Sequence, residues 1–214
     1  MRSKFVDDFN HDRQAVKYDQ DVRNEENPVR TGYEKLLNFM ADKVNSQSRV
    51  LELGCGTGNL TAKLREMNEI TGVDISDAMI TIARTKTKNK NVHYCQDDIL
   101  SFFDYNEKKY DYVISSYTLH HLTKSEKKIL FEKAYKVLDE KGVALFGDLM
   151  FENRNEKKLL IKQFRQRKIT WLLDVMKKEF YWNIEISLIQ LNKIGFKCKT
   201  HRFSDLSWVI EAVK

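Results

Sequence analysis

The chain has 214 residues, a formal net charge of +6, 42% hydrophobic residues and 32% charged residues, a balance that suits one soluble α/β domain with a full core. No apolar run approaches the roughly 20 residues that span a bilayer, and residues 1–20 are too polar for a secretory signal. Cys55, Cys95 and Cys198 are too few and too scattered for a disulfide framework or a metal cluster, which fits a reducing cytoplasm.

Residues 1–32 are charged, with sparse apolar anchors at Phe5, Val6, Phe9, Val16, Tyr18 and Val22. They read as a loosely packed arm or as a cap that closes over a ligand. Tyr33 to Val44 carries Leu36, Leu37, Met40 and Val44 on one side of an amphipathic helix. Val50 to Leu53 then runs straight into Gly54-Cys55-Gly56-Thr57-Gly58, followed by a helix-forming stretch from Leu60 to Met67. That is a buried strand, a tight turn and a helix. Glycines permit φ > 0 and let a ligand lie against the backbone, where the helix start offers free N–H groups. The spacing matches neither the dinucleotide fingerprint nor the P-loop, so the glycines alone specify only a tight turn. Sixteen residues beyond Gly58, the strand Ile70-Thr71-Gly72-Val73 ends in Asp74. A carboxylate there can accept both hydroxyls of a ribose, or can simply sit at a helix start.

Ser76 is a good N-cap for a helix reaching about Lys86, and Val92 to Cys95 reads as a third strand leading into Asp97-Asp98. Tyr112 to Ser115 is a fourth strand, opening into Ser116-Tyr117-Thr118-Leu119-His120-His121. Thr123 and Glu126 have capping-box spacing, so a helix should run to about Leu138, with Lys141-Gly142 as its stop. Val143 to Leu149 is the fifth strand, a helix covers about Ile184 to Lys193, and Phe196–Phe203 with Trp208–Val213 closes the sheet as an antiparallel pair. Between them, residues 151–180 read as two short amphipathic helices forming a lid. They hold nine basic residues against four acids, or five of the six net positive charges. That is a solvated face or, more sharply, a surface for an anionic acceptor or nucleic acid.

Four segments carry a family resemblance: Glu52 to Gly58, Val73 to Met79, Gln96 to Leu100, and Tyr110 to Leu122. In order and spacing they resemble the successive motifs of class I S-adenosylmethionine-dependent methyltransferases. The tail, including Phe151-Glu152-Asn153 and Ser207 to Ala212, is similar to the small YrrT-type group. The resemblance implies one domain over 1–214: a Rossmann-like three-layer sandwich with a mostly parallel seven-stranded sheet, its last strand antiparallel, and helices on both faces. It implies S-adenosylmethionine as cofactor, S-adenosylhomocysteine as product, and Gly54, Gly56, Asp74, Met79, Asp98, Ile99, Ser115 and Tyr18 as cofactor-binding residues. Within that set Met79 would lie against adenine, unless it is plain core. Asp98 would receive the adenine amino group, although the doublet with Asp97 leaves a one-residue ambiguity, and Tyr18 would cover the methionine end. Leu100-Ser101-Phe102 departs from the Leu-Pro-Phe common in the family.

Methyl transfer needs positioning and exclusion of water, and needs a base only for a protonated nucleophile. His120 and His121 are weak candidates for that base, against simple packing or capping. The expected reaction is in-line displacement onto a small-molecule acceptor, with no metal. An RNA acceptor and a non-catalytic cofactor-binding protein are the alternatives. The Asn/Asp-Pro-Pro-Tyr motif of amino-directed methylation is missing.

Overall fold

In the computed structural model, residues 1–8, 12, 15–88 and 90–214 are described. Phe9, expected among the N-terminal anchors, lies outside them. The sheet strands are β1 (Arg49–Leu53), β2 (Glu69–Asp74), β3 (Val92–Gln96), β4 (Tyr110–Ser116), β5 (Leu138–Phe151), β6 (Trp182–Asn183), β7 (Lys197–Arg202) and β8 (Ser207–Val213). Their order is β3-β2-β1-β4-β5-β8-β7, with β6 beside β5 off this path. All pairs through β5 and β6 are parallel; β8 runs antiparallel between β5 and β7. The sheet is therefore the expected one, its last strand β8 antiparallel and inserted between β5 and β7, and β6 adds an eighth strand.

Alternation along β1 shows how the layers form. Leu51 and Leu53 face a core built with α5 (Ile99–Phe102), α6 (Lys124–Val137) and α9 (Ile184–Ile194). Val50 faces the opposite core with α2 (Tyr33–Lys43), α3 (Asn59–Lys63), α7 (Arg154–Gln166) and α8 (Thr170–Lys178). The α4 helix (Asp77–Lys86) packs beside α3. Gly147 is where α2 crosses β5: a Cβ there would lie 2.6 Å from Met40 Sδ.

Several boundaries differ from the sequence expectation. The helix after the glycine turn ends at Lys63, not Met67. Asn68 pulls the chain away, because its side-chain oxygen accepts Ser48 N–H at 3.1 Å and its burial is complete. Lys141-Gly142 does not stop α6, which ends at Val137. It forms a bulge within a longer β5. Tyr110 pairs with Leu138 but Tyr112 with Val143, and Lys141 has φ 62°. Two short elements, α5 and β6, and a third, α1 (Ala15–Asp21), have too few residues for a periodic signal.

Candidate active site

The sheet order reverses between β1 and β4, and the cavity opens beyond the carboxyl ends of those strands. Its volume is about 300 Å³. At its floor Gly54, Gly56 and Gly58 all have positive φ (69°, 51° and 77°). The first two serve different ends. A Cβ on Gly54 would meet Thr118 at 2.2 Å, whereas one on Gly56 meets nothing within 4 Å among the described residues. Gly54 lets β4's outgoing turn pack against the loop; Gly56 leaves room in the cavity.

Asp74 fastens this loop. Its Oδ2 accepts Gly56 N–H at 2.7 Å and its Oδ1 accepts Ser76 N–H at 2.9 Å. Asp74 itself lines the cavity. Beneath the loop, buried Glu52 accepts from Thr61 Oγ1 at 2.5 Å. Burial, with a smaller contribution from Asp74, pushes its carboxyl up to about 8. Met79 and Ile99 are buried and both line the cavity.

The Asp97-Asp98 doublet separates by role. Asp98 N-caps α5: its Oδ1 accepts Leu100 and Ser101 N–H, both at 3.0 Å. Its Oδ2 is buried without a hydrogen-bond partner among the described residues, in a residue that lines the cavity. A buried acceptor of that kind calls for a donor from a ligand. Asp97 instead accepts the Tyr105 hydroxyl at 2.7 Å and Asp98 N–H. Ser115 is placed otherwise than expected for a cofactor contact. Its hydroxyl points back to Leu53 O at 2.7 Å, and Ser116 lines the cavity in its place. Strand alternation decides which of the two serines faces the opening.

The N-terminal segment is docked. Asp19 accepts from Thr57 Oγ1 (2.6 Å) and Asn59 Nδ2 (3.1 Å) and pairs with Lys86 (2.5 Å). Partial burial pushes its carboxyl up, but Lys86, Thr57 and Asn59 together hold it below the usual carboxylate range. Tyr18 on α1 thereby reaches the cavity, with Arg30 over its ring at 5.4 Å and over Tyr117 at 5.7 Å. Further along, Lys4 N–H donates to Glu126 Oε1 at 2.6 Å, and Phe5 stacks on Phe180 at 5.5 Å.

At the opposite end, His120 and His121 sit on a single 3₁₀ turn (Leu119–His121), and both line the cavity. His120 is buried, its Nδ1 2.5 Å from Asp148 Oδ1. Asp148 is itself held by Leu149 N–H at 2.8 Å and Trp182 Nε1–H at 3.1 Å. Its fixed carboxylate defines the tautomer with the proton on Nδ1. Glu179, just past α8, offers a carboxylate oxygen within 4.8 Å of nitrogens on both histidines. Trp171 and Val175 of α8 form the roof, while none of the nine basic residues of 151–180 lines the cavity. Asp19, Arg30, Ser116, Asp148 and Glu179 were not picked out from sequence.

Comparison with known proteins agrees with this architecture. Residues 50–142 match the methyltransferase domain family. An uncharacterized methyltransferase from Oceanobacillus iheyensis is 31% identical over 216 residues, covering 100% of this chain and 99% of that protein. One from Geobacillus kaustophilus is 32% identical over 220 residues, with coverages of 100% and 99%. Among solved structures, the N-methyltransferase NodS of Bradyrhizobium japonicum with S-adenosyl-l-homocysteine superposes with TM-score 0.64 at 17% identity, covering 90% of each chain. The magnesium protoporphyrin IX methyltransferase of Synechocystis gives 0.67 at 21%, covering 87% of this chain and 85% of that one. These two share the fold. The chain belongs to the class I S-adenosylmethionine-dependent methyltransferases.

Proposed function

We propose that this methyltransferase modifies a small molecule enclosed between the N-terminal segment, the His120-His121 turn and α8. The observation that carries this reading is the covering of the cavity from two sides. Ser3 and Val6 line it from the N-terminus, and Trp171 and Val175 from the lid. The cavity of about 300 Å³ runs from the glycine loop to these covering segments, so the space left beside a cofactor suits only a small acceptor. A polynucleotide would need an open basic groove. The lid's basic side chains are mostly exposed on its outer side and contribute none of the lining. This favours a solvated face for them.

We further propose how the chain holds its cofactor, with residues 1–32 as cap and 151–180 as lid. Asp74 accepts the ribose hydroxyls while still bracing Gly56. Asp98 Oδ2 accepts the adenine amino group, with the Ile99 backbone beside it and Met79 packed against the ring. Gly54 and Gly56 let the methionine portion lie on the loop, and Tyr18 covers it. The buried, unpartnered Asp98 Oδ2 and the open space above Gly56 both fit such a ligand. When bound, S-adenosylmethionine supplies an electrophilic methyl carbon on a sulfonium. The residues of this chain orient the acceptor for in-line attack and exclude water. Ser115 contributes through β4 rather than through its hydroxyl.

The test is transfer of label from methyl-labelled S-adenosylmethionine into separated metabolite and RNA pools. Label in a small-molecule fraction is expected. Label confined to RNA would reverse the acceptor assignment, and tight S-adenosylhomocysteine binding with no transfer into any pool would make the protein a cofactor sensor.

A further inference from the structure

We propose that His120, His121 and Glu179 form a mononuclear site for a first-row divalent cation of the zinc type, at the acceptor end of the cavity. One ligand atom from each lies within 4.8 Å of the others, and all three residues line the cavity. Two imidazoles and one carboxylate are a donor set that such cations take while keeping positions open.

The surroundings make this more than a chance cluster. The Nδ1 of His120 is committed to Asp148, so Nε2 carries the lone pair that a metal needs. A carboxylate behind a histidine is the usual outer partner of a metal ligand, fixing its tautomer and ring orientation. Here that carboxylate is itself held by Leu149 N–H and Trp182 Nε1–H. The two ligand-bearing segments are also tied together. Phe180 N–H donates to His120 O at 2.7 Å, which seats Glu179 beside the histidine turn. Lys127 Nζ bridges the same segments, donating to Leu122 O at 2.6 Å and Phe180 O at 2.7 Å. Glu179 is thus positioned through the neighbouring Phe180, while its carboxylate also interacts with the Tyr181 hydroxyl.

The open positions would face the chamber assigned above to the acceptor, so the metal's role rests on that reading. An acceptor hydroxyl bound there becomes more acidic and loses its proton to water. On transfer, the oxygen–methyl bond forms as the sulfur–methyl bond breaks. Both electrons of the broken bond stay on sulfur, leaving neutral S-adenosylhomocysteine.

The metal site itself is tested without any acceptor. Untagged, metal-stripped full-length protein is titrated with Zn²⁺ by calorimetry and with Co²⁺ by visible absorption. One equivalent should bind, with the intense visible bands of a low-symmetry Co²⁺ site. His121→Ala and Glu179→Gln should each weaken binding more than tenfold. Asp148→Asn should weaken it about ten- to a hundredfold through His120 alone. S-adenosylhomocysteine affinity reports that each variant is folded. Lack of binding to the parent protein, or equal binding by folded His121→Ala and Glu179→Gln, would overturn the site. Either result would leave the small-molecule reading standing, because the label-transfer assay measures that separately.

Discussion

The two ends of the cavity are built in different ways. The floor comes from neighbouring units of one βαβ run: Gly54 to Gly58 follow β1, Asp74 ends β2, and Asp98 follows β3. Its key bonds cross short sequence distances, as between Gly56 and Asp74. The other end brings together residues near Ser3, the His120-His121 turn, Asp148 on β5 and Glu179 beyond α8. Short-range geometry in the floor suits a ligand with invariant parts. An end assembled from distant segments can change in one segment without disturbing the floor.

The sharpest way to break the contrast is Gly54→Val. It forces a β-branched residue into φ 69° and drives its Cβ into Thr118 at 2.2 Å. Left-handed backbone costs about 1–2 kcal/mol and overpacking about 1–3 kcal/mol more. Thermal unfolding should show that loss, together with loss of S-adenosylhomocysteine binding. Gly56→Ala, at φ 51°, carries the same left-handed cost of about 1–2 kcal/mol but no clash, so it should lose less stability than Gly54→Val and still weaken the ligand. Equal destabilisation by both would erase the distinction between the two glycines.

Asp74→Ala should lower S-adenosylhomocysteine affinity about ten- to a hundredfold, since a charged hydrogen-bonding partner contributes about 1.5–3 kcal/mol. Asp98→Asn retains the Oδ1 cap and turns the free acceptor into a donor. It should weaken binding about tenfold with little change in melting temperature. Calorimetry giving parental affinity for Asp98→Asn would remove that residue from the binding set.

Glu52 separates the stability of the floor from its binding. Its carboxyl is pushed up to about 8 by burial, from an ordinary 4.5. Below about 4.5 it is protonated folded and unfolded alike. Between 4.5 and 8 only the folded chain holds the proton, so unfolding releases it and rising pH favours unfolding. The loss approaches about 1.4 kcal/mol per pH unit across that window. Glu52→Gln should flatten it, which denaturant midpoints at pH 5 and pH 8 would show. An unaltered pH dependence would mean that Glu52 is ionised in the fold.

The smallest effect belongs to the lid surface. Lys157, Lys158, Arg165 and Arg167 contribute nothing to the cavity lining. Replacing all four by Gln should leave cofactor affinity, turnover and salt response nearly at parental values. A drop in catalytic efficiency with reduced salt sensitivity would restore an anionic or RNA acceptor and place its contacts outside the chamber.

The amino-acid sequence alone determined the parallel sheet, the glycine turn, and the positions of Asp74 and Asp98. Each depends on periodicity, or on residue types adjacent along the chain, and the family motifs lie in just those segments. It left ambiguous what depends on parity or context. Ser115 and Ser116 differ only in which way strand alternation points them. Lys141-Gly142 can end a helix or make a bulge, because both need positive φ. Only the tertiary structure joined Asp148 to His120 and Glu179 to both histidines, and turned the basic residues of the lid outward. Those relations depend on how distant segments dock, and docking is set by the packing of apolar faces rather than by the residues that meet there.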